Sequence, residues 1–578
     1  MRIRKLNIIA FSLLAFIFSG CDSFLDPDKD GKMNEEDIWN NYTNAFQFLN
    51  NAYNYLPNGY NRISNAMLAS ACDEAVHSDV TSGIKGFYNG TWSSYNQVEN
   101  VWDKNYQGIR SVNNWLRNCE DIVFPTKPTI TGTQEELIRT RDRMKGEAHF
   151  LRAYFYFELI KRYGGVPLFT DKLEMDEAKV QERATYDQCV QQILADLDYA
   201  FEALPVNYVD GEDAINGFNE IKEKGRPTQG AVLALKARVL LYWASPLNNP
   251  NNDLSRYQAV VETTEQLKKL QGIEYGLIDF SSGGDYLNVF VSLNDNDRYN
   301  KEIVFSTKYN TENGYERSNS PITFGGNGYT GPSQNLIDAF GMADGTDFDW
   351  NNPEHAAAPY ENRDPRFYMN IVYNGMEYTV NKQTATVETY IGGSDATGAY
   401  TTSTRTGYYL KKAMSKDVVW DGGASNSVNR TWPLIRYAEV LLNYAEALNE
   451  LLPAPDKRVY NAVEAIRKRA GLIPYQIDPS LTKDEMREVI RKERRVELCF
   501  EEHRFFDIRR WKLFDDPQQR DDLLKIRGME ITKEGDNLSY NPNVIVEDRL
   551  FEDKMYLYPI SQYEIIKTND LIKQNPGW

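Results

Sequence analysis

The sequence predicts a mostly α-helical protein: a scaffold of paired helices with an irregular, loop-rich lobe that contains short strands. Three observations carry this reading. Apolar residues recur at helical spacing in long segments on both sides of the chain's middle. Within those segments small alanines sit against large tyrosines and leucines, which lets helices approach closely. From about 280 to 430 the pattern stops, and Gly, Asn, Ser, Thr and Tyr dominate. At 578 residues the chain is long enough for several packing units.

The first twenty residues are a targeting signal rather than part of the fold. Arg2, Arg4 and Lys5 form a basic start, a short apolar stretch follows, and Ser19-Gly20-Cys21 closes it. Small residues just before a cysteine resemble a bacterial lipobox, so residues 1–20 are expected to be removed and Cys21 to be lipidated. Acyl chains then anchor the protein to a membrane without spanning it. Residues 21–40 read as an acidic tether. Asp26, Asp28, Asp30, Gly31 and Asp37 imitate a calcium loop, but position twelve is Asp37 rather than Glu, so a solvated tether is preferred.

Residues 41–280 and 431–578 are expected to form the helical scaffold, with the loop-rich lobe at 281–430. In 141–165, Ala148, Leu151, Phe155 and Leu159 share a face, and Gly164-Gly165 ends the helix. Helices follow at 185–204, at 227–244 with Pro227 in the first turn, and at 257–270. Residues 436–450 and 459–472 make a later pair. The small-against-large pattern is that of tetratricopeptide-type hairpins, without their strict period. In the lobe, strands are expected at 302–309, 384–393 and 407–413.

Composition and motifs exclude several functions. A net charge of −18 argues against a nucleic-acid backbone as partner. Four His and five Cys rule out a zinc-rich module or a dense disulfide framework, so no metal site or cofactor is assigned. No catalytic signature appears, and the protein is read as a non-enzyme. Gly326, Gly328 and Gly331 spell G-x-G-x-x-G, but Ser320-Pro321 and Pro332 flank them and no βαβ unit surrounds them. In 491–511 the charges alternate in sign with apolar residues between them. Thr482 and Glu485 form a capping box, and Glu488–Lys492 and Arg494–Glu497 stand at ion-pair spacing. This run is read as a partly buried Arg–Glu network that holds the C-terminal helices.

Several blocks, taken in order, carry a family resemblance: GEAHFLRAYFYFELIKRYGGVPL (146–168), LALKARVLLYWA (233–244), NRDPRFYMNIVYNG (362–375), PLIRYAEVLLNYAEALNE (433–450), IRKERRVELCFEEHRFFDIRRW (490–511) and the final MYLYPISQYEI…QNPGW. Together they resemble the SusD/RagB family of Bacteroidetes outer-membrane lipoproteins. Glu493, Arg494, Glu497, Glu501 and Arg504 match the family's Glu and Arg positions. The resemblance implies a SusD-like scaffold of tetratricopeptide-like pairs and a cell-surface, lipid-anchored location. It also implies a SusC-type TonB-dependent transporter as partner, with oligosaccharide or polysaccharide as ligand. The acid after Cys21 resembles the surface-export signal of such lipoproteins. The alternative is a transporter lid that handles a peptide or other non-glycan nutrient.

Sugar rings present flat C–H faces on which aromatics stack, while amides, carboxylates and Arg bond the hydroxyls. Tyr88, Trp92 and Tyr95 are therefore candidate contacts in the loop 87–97, where the resemblance suggests that the family often places such aromatics. Tyr315, Arg317, Phe324, Tyr329 and Trp350 are candidates in the middle lobe. Asp73 and Glu74 are expected to accept hydroxyl hydrogen bonds. Trp102 and Trp115 lie at helical positions and are assigned to the core.

Overall fold

The computed structural model describes residues 35–129, 132–171, 180–208, 225–270, 275–280, 286–292, 300–308, 310–421 and 425–578. The leader, the lipobox and most of the acidic, calcium-like loop lie outside them.

Helices dominate. In chain order they include α1 (Tyr42–Ala52), α2 (Trp102–Asn118), α3 (Gln134–Tyr163), α4 (Tyr186–Ala203), α5 (Gln229–Ala244), α6 (Leu254–Lys269), α7 (Tyr437–Leu451), α8 (Lys457–Ala470), α9 (Lys483–Glu497) and α10 (His503–Arg510). Each of α2 to α6 packs on the next in sequence, α6 packs on α7, and α7 on α8 and α9. The two scaffold segments thus form one continuous stack, although about 170 residues separate them in the chain.

Local chemistry explains the boundaries. α3 begins at Thr133, whose hydroxyl and the Glu136 carboxylate cap each other's backbone N–H, and it ends at Gly164 with φ of 72°. It therefore starts seven residues before the apolar stripe announces it. Its second half is buried all round, because α2 and α4 both lie against it. Thr185 and Thr482 supply two more capping boxes, the second as expected. Pro227 stands one residue before the N-cap Thr228 rather than in the first turn. Trp102 and Trp115 are core residues, with the Trp115 Nε1–H donating to the Ala45 carbonyl at 2.9 Å.

The strands are short. They include β1 (Ala75–His77), β2 (Ile303–Ser306), β3 (Thr330–Pro332), β4 (Pro433–Arg436), β5 (Lys525–Glu534) and β6 (Asn537–Asp548). β1 pairs antiparallel with β3, and β2 with β4. Of the expected lobe strands, 302–309 survives as β2. Of the other two, only 384–386, within the strand Gln383–Thr386, and 409–410 form strands, because Gly and turn residues break the rest. The long β5–β6 hairpin lies within the segment 431–578 expected as helical scaffold. The glycine pattern at 326–331 has a packing cause. A Cβ at Gly326 would stand 2.2 Å from the Ser320 carbonyl oxygen, and Gly328 adopts φ of 58°.

The charged run 491–511 is buried further than its sequence suggests. Glu497 accepts from Arg436 (2.7 Å), Arg366 (3.2 Å), Arg469 and the Tyr286 hydroxyl (2.6 Å). Arg436 also reaches Glu302 (2.8 Å) and Glu501 (2.7 Å), and Lys412 reaches Glu501 (2.7 Å). The spacing-based pairs are replaced: Arg494 bonds Asp507 (2.7 Å), while Glu488 pairs with Arg491 and Lys492 with Asp347. Burial pushes the Glu497 carboxyl up, but the guanidiniums of Arg469, Arg436 and Arg366 outweigh it and hold it well below the usual carboxylate range.

Removing one partner of such a network strands the others without compensation. Glu497→Ala is expected to cost about 3–5 kcal/mol, by analogy with other broken buried pairs. The check is the shift of the thermal unfolding midpoint against the surface control Glu530→Ala; equal shifts would show that the network contributes nothing.

Candidate functional site

The β1–β3 ladder joins the two regions in which the sequence places candidate contacts. Ala75 stands opposite Pro332 and His77 opposite Thr330, and the Ser78 N–H donates to the Tyr329 carbonyl at 2.9 Å. Next to it, the Asn327 N–H bonds the Arg317 carbonyl (2.8 Å), and the Tyr329 N–H bonds Ser318 (2.9 Å). Arg317 belongs to the short helix Gly314–Asn319 and is exposed. The Tyr329 ring is half-buried, 5.0 Å from the His77 ring. Beside them the turn 79–82 is held by Asp79, which accepts from the backbone and hydroxyl of Thr81 (2.8 and 2.7 Å), and Val80 is 62% exposed. This backbone seam thus brings the Tyr329 and Arg317 segments alongside one another, with the polar turn 79–82 following β1. Burial pushes His77 down to about 4, so its ring is neutral in ordinary buffers and meets the Tyr329 ring, at a tilt of 44°, without charge.

The other candidates lie elsewhere. Trp92 is only 4% exposed and is wedged among Phe87, Tyr558 and Trp578 with ring centroids 4.8–5.1 Å apart. Tyr88 lies under the Arg549 guanidinium at 4.1 Å. Tyr315 packs against Tyr60 and Arg430, and Phe324 against Tyr378. These four rings are core residues, correcting the expectation that each offers a face to a ligand. Loop aromatics in Asn- and Ser-rich sequence look exposed, but here the C-terminal segment and the lobe fold over them. Tyr95 is 83% exposed, in a loop whose Ser94 carbonyl accepts from the Gln562 N–H, away from the seam's backbone contacts. The Trp350 Nε1–H donates to Asp338 at 2.9 Å.

Asp73 and Glu74 differ sharply. Asp73 accepts from Arg495 (2.6 Å) and twice from Arg504 (2.9 Å), so it is an ion-pair hub rather than a free acceptor. Burial raises its carboxyl, but Arg495 and Arg504 outweigh this and hold it well below the ordinary range. Glu74 has no cation partner among the described residues; it accepts from the Phe500 N–H at 3.2 Å. Burial and the neighbouring Asp73 charge push it up to about 8.

Asp73 also lines a cleft of about 400 Å³ with Arg491, Lys492, Arg495, Arg504 and Arg527. Reading the 491–511 run as scaffold alone missed it. Residues 488, 491, 492 and 495 recur at i, i+3, i+4 and i+7, one face of α9, while 486, 490, 493, 494 and 497 make the buried face. Among the described residues, no cluster of His, Cys, Asp and Glu is suited to a metal ion. Cys72, Cys119, Cys189 and Cys499 are buried free thiols. No described helix is long and apolar enough to cross a membrane.

Comparison with known proteins agrees with this architecture. The model described as the SusD family matches residues 292–578, and one described as starch-binding associating with outer membrane matches 23–241. The chain belongs to the SusD/RagB family. It is similar to a solved SusD-like protein from Bacteroides fragilis, at 29% identity and a TM-score of 0.75, over 94% of this chain and 99% of that one. SusD-like protein P2 of Formosa agariphila is 24% identical over 83% of this chain and 86% of its own. A solved laminarin-binding SusD-like protein shares the fold at 21% identity and a TM-score of 0.60, over 93% of this chain and all of that one.

Glu74 sets a pH dependence. Because its folded value is raised, the stability it contributes is full below its ordinary 4.5 and is lost as pH rises toward 8. Glu74→Gln is expected to lose less stability than the parent over that interval, read from unfolding midpoints across pH. Parallel midpoint curves would show that the carboxyl does not titrate there.

Proposed function

We propose that this protein is a cell-surface nutrient-binding lipoprotein. It captures oligosaccharide or polysaccharide and delivers it to a SusC-type TonB-dependent transporter in the outer membrane, without catalysis. Family membership, the starch-binding description matched over 23–241 and the laminarin-binding neighbour support a glycan ligand. The lipobox at Cys21 supports a lipid anchor.

The observation that carries the reading is the β1–β3 seam. It brings the segment of the half-buried Tyr329 ring next to residues 77–78, with the backbone of exposed Arg317 bonded to Asn327 nearby. A sugar ring stacked on Tyr329 displaces weakly held water from an apolar face, and the guanidinium and the turn 79–82 bond its hydroxyls. The Tyr329–His77 contact limits the ring's freedom, so little side-chain entropy is lost on binding. Tyr95 and Trp350 are secondary contacts for a longer chain; Trp92, Tyr88, Tyr315 and Phe324 support the site through packing.

Affinity electrophoresis against plant, microbial and host polysaccharides tests this. One polysaccharide is expected to retard the protein, with retardation lost in Tyr329→Ala and weakened in Arg317→Ala. Loss of one base-stacking-type aromatic contact is worth about 1–3 kcal/mol, or roughly 5–150-fold in affinity. Trp92→Ala is expected instead to destabilise the fold by about 3–5 kcal/mol as a core aromatic truncation. Retardation that survives in Tyr329→Ala moves the site away from the seam. No retardation by any glycan favours the peptide-handling lid.

A further inference from the structure

The cleft beside Asp73 is chemically unlike the seam. It lies between the outer face of α9, the segment Asn335–Ala339 and residues Leu513–Arg527. In a chain of net charge −18, its lining sets five cations against four carboxylates, Asp73, Asp338, Glu488 and Asp522.

Their partners divide the cleft into a fixed floor and an exchangeable rim. At the floor, Arg495 and Arg504 share the single carboxylate of Asp73, at 2.6 and 2.9 Å. One negative charge is set against two guanidiniums there, and Arg495 Nε is buried with no acceptor among the described residues. Arg527 is held at the wall by Asp338 at 2.7 Å. At the rim, Arg491 pairs with Glu488 and Lys492 with Asp347, and these carboxylates are 66% and 83% exposed. The Lys492–Asp347 pair is solvent-exposed on both sides and contributes little, so an entering anion can take Lys492 at small cost, while Arg491 is more enclosed and lies over the Trp511 ring. Asp522 is the remaining acid of the lining. Leu513 and Leu523 add buried apolar wall, which suits a ring rather than a bare ion.

We propose that this cleft binds an oxyanion carried on a compact sugar: the carboxylate of a uronic acid or a sulfate ester. Lys492 reaches the anion first. The floor's cationic surplus then holds it, and planar guanidinium forks match either oxyanion geometry. The oxyanion is read from the cleft alone; only the sugar carrier rests on the glycan reading above. The cleft and the seam are separate, so neutral glycan held at Tyr329 does not require it.

Equilibrium dialysis of the protein against labelled inorganic sulfate and labelled glucuronate, with glucose as neutral control and ionic strength fixed by chloride, tests the assignment. Saturable binding of at least one anion and none of glucose is expected. Lys492→Gln is expected to weaken it at least fivefold and Arg495→Gln at least tenfold. Glucuronate alone would indicate a sugar acid, and sulfate alone a sulfate group. Lys492 sits at the exposed rim, so its variant keeps the readout meaningful if Arg495→Gln fails to fold. No saturable anion binding, or binding unchanged in Lys492→Gln and in a folded Arg495→Gln, would overturn the proposal. Retention of neutral polysaccharide, lost in Tyr329→Ala, is scored separately, so failure of the cleft and failure of the seam are distinguishable.

Discussion

The carboxylate of Glu497 is the point on which the architecture turns. It stands at the end of α9 and binds guanidiniums from three distant stretches: Arg366 in the lobe, Arg436 at the end of β4 and Arg469 in α8. Through Arg436 the network continues to Glu302 and Glu501, and through Glu501 to Lys412. The lobe, the strand pair β2–β4 and the C-terminal helices are thereby clamped to one buried group. Such networks add little net stability over an apolar core but tolerate few alternative arrangements. Its value here is positional. Apolar packing can slide by a turn of helix, whereas several charged hydrogen bonds converging on one carboxylate cannot.

A second consequence follows from segment 72–82, which threads between the scaffold and the lobe. Asp73 faces Arg495 and Arg504 at the floor of the cleft, and Glu74 turns to the Phe500 backbone. Residues 75–77 then form the ladder with 330–332 that builds the seam. The Ser333 hydroxyl donates back to the Asp73 carbonyl at 2.5 Å, closing the loop between them. The seam and the charged cleft are therefore built from consecutive residues of one backbone stretch. The rings that look most available in the sequence, Trp92 and Tyr315 among them, hold the neighbouring elements in place.

The family match and the continuous helical stack point to one organisation: a repeat-like scaffold that carries inserted loops. Loops carry recognition well when a rigid frame positions them. Here that frame is unusually polar inside, because the inserted lobe is joined to the stack by ion pairs as well as by apolar contact.

The sequence by itself determined the helical scaffold and the structural nature of the 491–511 run, and it suggested a lobe at 281–430. These rest on local signals: the helical period, capping residues such as Thr482 and Glu485, and the composition change near 280. It also carried the leader and lipobox motifs and the family's blocks. What only the tertiary structure decided is which side chains meet. Glu497 lies near Arg494 in the chain but bonds Arg366, Arg436 and Arg469. Whether a loop aromatic keeps a free face depends on what covers it, and for Trp92 the cover is Tyr558 and Trp578, more than 460 residues away. Burial and pairing are sums over contacts distant in sequence. For that reason Tyr329 and Arg317, rather than the more conspicuous Trp92, become the candidate site.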